Sequence, residues 1–225
     1  MPCCGKKVRN GIDREHKESQ YSLQSPITLE ALKHFTAGMQ DAEIIERPTY
    51  NEQKVTLLYI SSLIDRKRLD QFIIEPLSRL SRDTVYESLL TSKISEITTL
   101  EQAITELLQG SVVLNDTARS QWWAIPLENP LGRAIESSET ETILYGPKDS
   151  FSEQIDKNIT LLRRRLPLAA LKTEKFTAGT LTKTSVVLMY IEGLTNPDIV
   201  EIARNKIAEV DFDLILESSQ LAAFF

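Results

Sequence analysis

The chain has 225 residues, 41% of them apolar and 26% charged, which is the balance of a soluble globular protein with enough length to bury a core. A net charge of −6 with dispersed basic residues excludes a general nucleic-acid binder. The only two cysteines, Cys3 and Cys4, are adjacent, which excludes a disulfide scaffold and suits a reducing compartment.

Residues 1–24 are polar and aperiodic, lack the apolar stretch of a signal peptide, and read as a flexible tail. No run approaches about 18 apolar residues, so the sequence contains no membrane span. A helix is expected over Pro26–Met39, with Leu29, Leu32, Phe35 and Met39 at helical spacing. Strands follow around Glu43–Glu46 and Val55–Ile60; the second is apolar apart from Thr56, as in a strand covered on both faces. Asp65 suits the N-cap of a helix with apolar positions Leu69, Phe72, Ile73, Leu77 and Leu80, in which Pro76 should cause a kink or an early break.

A further helix is predicted over Thr99–Gln109, closed by Gly110. "SVVLND" and "SQWWAIPL" read as a hairpin with Asn115-Asp116 among the turn candidates. Asn129–Thr142 reads as a loop between two lobes. Phe151, Ile155, Ile159, Leu162 and Leu166 then mark a helix ended by Pro167. Strands near Lys172–Thr177 and Ser185–Ile191 lead to a turn and a last helix, with Asn196 as N-cap and Pro197 at its first position. The final "SSQLAAFF" is an abrupt ending for a free soluble protein and suggests a fragment of something longer.

One stretch occurs twice. "VTLLYISSL" (55–63) and "VVLMYIEGL" (186–194) share Val55/Val186, Leu57/Leu188, Tyr59/Tyr190, Ile60/Ile191 and Leu63/Leu194. With a one-residue shift at the turn, Leu69, Phe72 and Leu77 fall on Ile199, Ile202 and Ile207. The expected fold is therefore α/β: two related small α/β lobes from an internal duplication, with a helix–hairpin addition between them. The tail occupies 1–24, the first lobe with its added helix and hairpin 25–140, and the second lobe 141–225. A cleft between lobes is the natural place for a small molecule.

The chemistry is sparse. There is no nucleophile elbow, no phosphate-cradling glycine loop and no metal-ligand spacing, so no catalytic residue, metal site or cofactor is assigned and an enzyme is not expected. Tyr190, Glu192, Gly193 and Asn196 flank the second turn and, with Tyr59, are the candidate ligand-binding residues. The plainer reading makes that turn a fold corner, with Gly193 present for a positive φ. Arg163, Arg164 and Arg165 either complement the negative end of a helix or form a partner-binding patch. Arg66-Lys67-Arg68 opens a helix, where positive charge is disfavoured and an anion would relieve it. Trp122 and Trp123 must face opposite sides of a strand, leaving one available for contacts unless both pack. Asp211 and Asp213 are exposed or capping residues, or a cation pair.

The stretches "YGPKDSFSEQIDKNITLLRRRL" and "TKTSVVLMYIEGLTNPDIVEIARNKIAEVDFDLILES" resemble the N-terminal soluble region of the GerA family, the A subunits of nutrient germinant receptors of spore-forming Bacilli and Clostridia. The likeness rests on Gly146-Pro147-Lys148, Arg163–Arg165, Lys183-Thr184, Tyr190–Gly193, Asn196-Pro197 and Asp211–Asp213. It departs at Lys148, where the family has Arg, and in a less basic strand entry. The resemblance implies a soluble head of a membrane protein, with spanning helices after Phe225 and a place on the cytoplasmic (core) side of the inner spore membrane. It also implies partnership with a transporter-like B subunit and a lipoprotein C subunit. The function so implied is nutrient sensing or signal transmission in germination, possible small-molecule binding between the lobes included, or else subunit docking alone.

Overall fold

The computed structural model describes residues 22–50, 52–79, 84–89, 91, 93–130, 151–179 and 181–209. The tail, the inter-lobe loop with its boundary near residue 140, and the Asp211/Asp213 pair lie outside these residues, wholly or nearly so.

Helix α1 (Leu29–Thr36) begins at Thr28, whose hydroxyl accepts from the Ala31 amide at 3.1 Å. It leads into the antiparallel hairpin of β1 (Ala42–Pro48) and β2 (Lys54–Ile60), in which Glu43 lies opposite Tyr59. Asp65 caps α2 (Arg66–Leu69) by accepting from the amides of Lys67 and Arg68. The chain then widens into a π-helical turn, Asp70–Ile74, before α3 (Glu75–Arg79), which contains Pro76. Pro76 therefore ends nothing. The wider turn sits where the proline, lacking an N–H, would have left a carbonyl of the preceding turn unpartnered, and Pro76 is itself buried.

Short α4 (Val85–Ser88) and β3 (Ser95–Glu96) precede α5 (Leu100–Leu108), which opens on a capping box between Thr99 and Gln102. Strands β4 (Ser111–Asp116) and β5 (Gln121–Pro126) form the expected hairpin. Its turn is 117–120 rather than Asn115-Asp116. Both of these belong to β4, and buried Asp116 closes the strand by accepting from the Ala118 amide at 3.1 Å.

These strands form one antiparallel sheet in the order β1-β2-β4-β5-β3. Its two faces are packed by different residues of the same strands. Leu58, Ile60, Val113 and Ala124 join α1 and α5 in one core, while Val55, Leu57, Val112, Leu114 and Ile125 join α2–α3 and α4 in the other. That two-sided burial is why β2 carries no exposed alternation after Lys54. Trp122 and Trp123 are each half-buried and divide between the two cores as strand alternation requires.

After α6 (Ile155–Arg165), β6 (Leu171–Ala178) and β7 (Thr184–Ile191) form a separate two-stranded antiparallel sheet, followed by α7 (Pro197–Ala208). Asn196 caps α7 through the Asp198 amide at 2.9 Å, and Gly193 has φ +80° in the turn before it. The fold is thus mixed α/β with two sheets, and the middle helix and hairpin are built into the first. All strand pairings inside the sheets are antiparallel, so the ligand-site rule for parallel α/β sheets does not apply directly.

The helix-face alignment after the repeated strand is not the one expected. Ile199 and Ile202 are exposed, whereas Leu69 is buried. The caps Asp65 and Asn196 keep the 131-residue offset of Tyr59 and Tyr190 (196 − 65 and 190 − 59), which places buried Leu69 on buried Val200 with no shift at the turn.

Candidate functional site

The two sheets meet along a seam built from the residues between α1 and β1. The Gln40 amide donates to Thr173 O at 2.9 Å and the Thr173 amide to Gly38 O at 3.0 Å, so β6 is bound to residues 38–40 along its outer edge. Lys172 extends this contact by donating from Nζ to Ala37 O at 2.7 Å. At its centre Arg163 of α6 is wholly buried. Its Nε and Nη2 donate to the two oxygens of Asp41 at 2.9 and 2.6 Å, and the guanidinium also reaches Leu171 O and Thr173 Oγ1, each at 2.6 Å. A planar fork with several donors suits a carboxylate that must be matched on two oxygens at once.

Asp41 is held from its other side by the turn after β2. Its carbonyl accepts from Ser61 N and Oγ, and its Oδ2 from Ser62 Oγ at 2.8 Å. The Ser62 carbonyl in turn accepts from Thr160 of α6 at 2.6 Å. Beside this turn opens a cleft of about 1090 Å³ between residues 61–67, Asn129-Pro130, the start of α6 and Lys175, with Asp41 in its wall. Its size is that of a small-molecule site. The cleft and the seam thus share Asp41.

None of Tyr59, Tyr190, Glu192, Gly193 and Asn196 lines this cleft. Tyr190 donates to Glu174 at 2.9 Å and accepts from Arg204 at 3.2 Å, while Tyr59 donates to Glu43 at 2.8 Å and Glu43 also pairs with Arg66. Each tyrosine therefore ties a hairpin to an arginine of the helix that follows. Burial, then the bond to Glu43, pushes the Tyr59 hydroxyl up to about 12. The Arg204 guanidinium holds the Glu174 carboxyl below its ordinary range. Glu192 is exposed and lies 3.4 Å from Lys172 Nζ. Asn196 and Gly193 do the structural work of cap and positive-φ corner.

The arginine run divides in a way its sequence position does not suggest. Arg163 is removed from the surface and belongs to the seam, which corrects its place in a partner patch. Arg164 pairs with Glu128 at 3.0 Å and donates to Asn129 O, and Arg165 is exposed. The buried face of α6 is also rotated from the expected stripe: Ile159, Thr160, Leu161 and Arg163 are buried, while Phe151 and Leu166 are exposed. The i, i+4 spacing of Ile159 and Arg163 was the available signal for this. Asp41 carried no signal of its own. Among the described residues no group of three His, Cys, Asp or Glu stands close enough to hold a metal, and no helix is long and apolar enough to cross a membrane.

This two-sheet architecture has been seen in a germination protein. The N-terminal domain of the A subunit of the Bacillus megaterium spore germinant receptor GerK3 superposes with a TM-score of 0.59 at 20% identity, covering 88% of this chain and 74% of that one. The likeness shows a shared fold. The sequence matches the family described as Bacillus/Clostridium GerA spore germination protein over residues 30–225, and the chain belongs to that family. Among its relatives it is 27% identical to the uncharacterized membrane protein YfkQ of Bacillus subtilis over 92% of this chain and 43% of that protein. It is 28% identical to stage V sporulation protein AF of Bacillus subtilis (75% and 36%) and 27% identical to spore germination protein XA of Bacillus anthracis (86% and 42%). The chain spans less than half the length of these relatives.

Proposed function

We propose that this chain is the N-terminal head of a spore germinant receptor A subunit, a non-enzymatic domain that takes part in nutrient sensing or in passing the signal on. The observation that carries this reading is the sharing of Asp41 between cleft and seam: a small molecule beside Ser61, Ser62 and Asp65 bears on the residue that clamps α6 and β6. The head divides into two lobes near residue 140, and they descend from one ancestral unit. The 131-residue offset supports that descent, because it relates Glu43 to Glu174 (174 − 43), Tyr59 to Tyr190 and Asp65 to Asn196, each pair in the same local role. The working receptor includes a transporter-like B subunit and a lipoprotein C subunit at the inner spore membrane, with this head on the core side. The naming of one relative as a membrane protein and the partial coverage of all three support a larger membrane-anchored whole.

The test is an amide NMR titration of the 225-residue chain with amino acids and sugars. Saturable shifts at 61–67, 155–161 and 175 would support the cleft. Flat spectra, with association to the other subunits weakened by Arg164→Ala or Trp122→Ala, would leave the head as a docking scaffold. Shifts confined to 190–196, abolished by Glu192→Ala, would move the site back to the second turn.

A further inference from the structure

We infer that the cleft takes a small polyanion, a molecule bearing two or more carboxylate or phosphate groups. The inference rests on the reading of the cleft as a ligand site and deepens it. It follows from sorting the polar groups of the wall into those already used and those still available. Ser61 and Ser62 are bonded to Asp41, Thr160 to Ser62 and Asp156 carbonyls, and both amide atoms of Asn158 to Ser152. Asp65 is spent on the α2 amides, Asp41 on Arg163, and Arg66 on Glu43. The short neutral side chains that would recognise a sugar hydroxyl are therefore largely committed within the fold.

What remains is mainly charged, the side-chain amides of Asn129 and Gln154 being the neutral exceptions. Lys67 from α2, Lys157 from α6 and Lys175 from β6 line the cleft from three different elements, and none has a carboxylate within ion-pair distance among the described residues. In a chain of net charge −6 with acidic partners to spare, three ammonium groups lining one cleft without a carboxylate partner among the described residues run against the overall balance. Two carboxylates, Glu153 and Asp156, share the lining. Both stand at the start of α6, whose positive end is left without a side-chain cap at Gln154 and offsets them. The rest of the lining carries Arg66, Lys67 and Lys175 on α2 and β6. Ammonium groups are point charges on flexible stems, able to close on anionic groups of varied shape, and a cleft concentrates their field.

The experiment titrates the 225-residue chain at low salt with citrate and with pyrophosphate, using acetate and glucose as monoanionic and neutral controls, read by amide NMR. Citrate or pyrophosphate should saturate at 61–67, 155–161 and 175 at least about tenfold more tightly than acetate, and binding should weaken as salt is added. Preference between the two probes assigns carboxylate or phosphate. The combined Lys67→Gln, Lys157→Gln and Lys175→Gln variant should lose about tenfold or more of the affinity. Lys33→Gln, an exposed lysine on α1, should lose none; these are surface changes, and unchanged spectra elsewhere confirm that each variant is folded. Equal response to acetate, equal loss in Lys33→Gln, or no response to either polyanion overturns the inference. If glucose or an amino acid nonetheless saturates the same residues, the ligand cleft stands and only its charge preference falls.

Discussion

Arg163 and Asp41 lie 122 residues apart and meet as a fully enclosed bidentate pair, with side chains 0% and 1% exposed. The pair joins the helix before the second sheet to the first residue after the α1 corner, while Leu171 and Thr173 complete the guanidinium's bonding. Removing one partner strands a buried charge, whereas removing both strands none. Arg163→Met and Asp41→Asn should therefore each destabilise the chain by about 3–5 kcal/mol, and the double variant by clearly less than their sum. Urea midpoints at unchanged m would give the coupling; strict additivity would mean that the pair is not formed.

Tyr59 should ionise about two units above an ordinary tyrosine, because its folded value is pushed up to about 12 from 10.0. Its protonated form is favoured in the fold, so this contribution to stability is complete below pH 10 and is lost as the pH rises towards 12. Ultraviolet difference titration of wild type against Tyr59→Phe isolates the transition. Loss of an ordinary tyrosine signal near pH 10 would contradict the Glu43 bond.

Glu174 behaves with the opposite sign. Its carboxyl is held below 4.5 by Arg204 first and by Tyr190 as well, so the stabilisation is present above that value and disappears as the pH falls through the folded pKa. Glu174→Gln should flatten the acid limb of the stability curve and, because the same carboxylate helps to raise the Tyr190 hydroxyl, also let Tyr190 ionise more readily on the alkaline side. Thermal melts across pH 2.5–7 test this, and an acid limb as steep as wild type would count against the arrangement.

Two glycines separate backbone strain from steric fit. Gly193 has φ +80° with nothing within 4 Å of an added Cβ, so Gly193→Ala should cost about 1 kcal/mol. Gly110 has φ +89° and would place a Cβ 2.9 Å from the Leu63 carbonyl, so Gly110→Ala should cost about 2–3 kcal/mol. Denaturant midpoints rank the two, and the reverse order would overturn the assigned close approach.

Much of the fold was legible because the signals were local. Caps at Asp65 and Asn196, the Gly110 and Gly193 corners and the doubly covered β2 all follow from the nearest few residues. The π turn before Pro76 was not, because a proline indicates that one hydrogen bond is missing without indicating how the helix absorbs the loss.

Periodicity, capping and motifs read along the chain were enough for the order of the longer helices and strands, the repeated stretch at 55–63 and 186–194 and the family, though not for short α4, β3 or the π turn. Tertiary structure alone decided which member of Arg163–Arg165 is buried, that Asp41 receives it, and that the cleft lies beside Ser61 and Ser62 rather than at Glu192. The physical reason is distance along the chain. A buried charge is tolerated only where a partner is delivered to it, and here the partner comes from 122 residues away, beyond the reach of any local pattern.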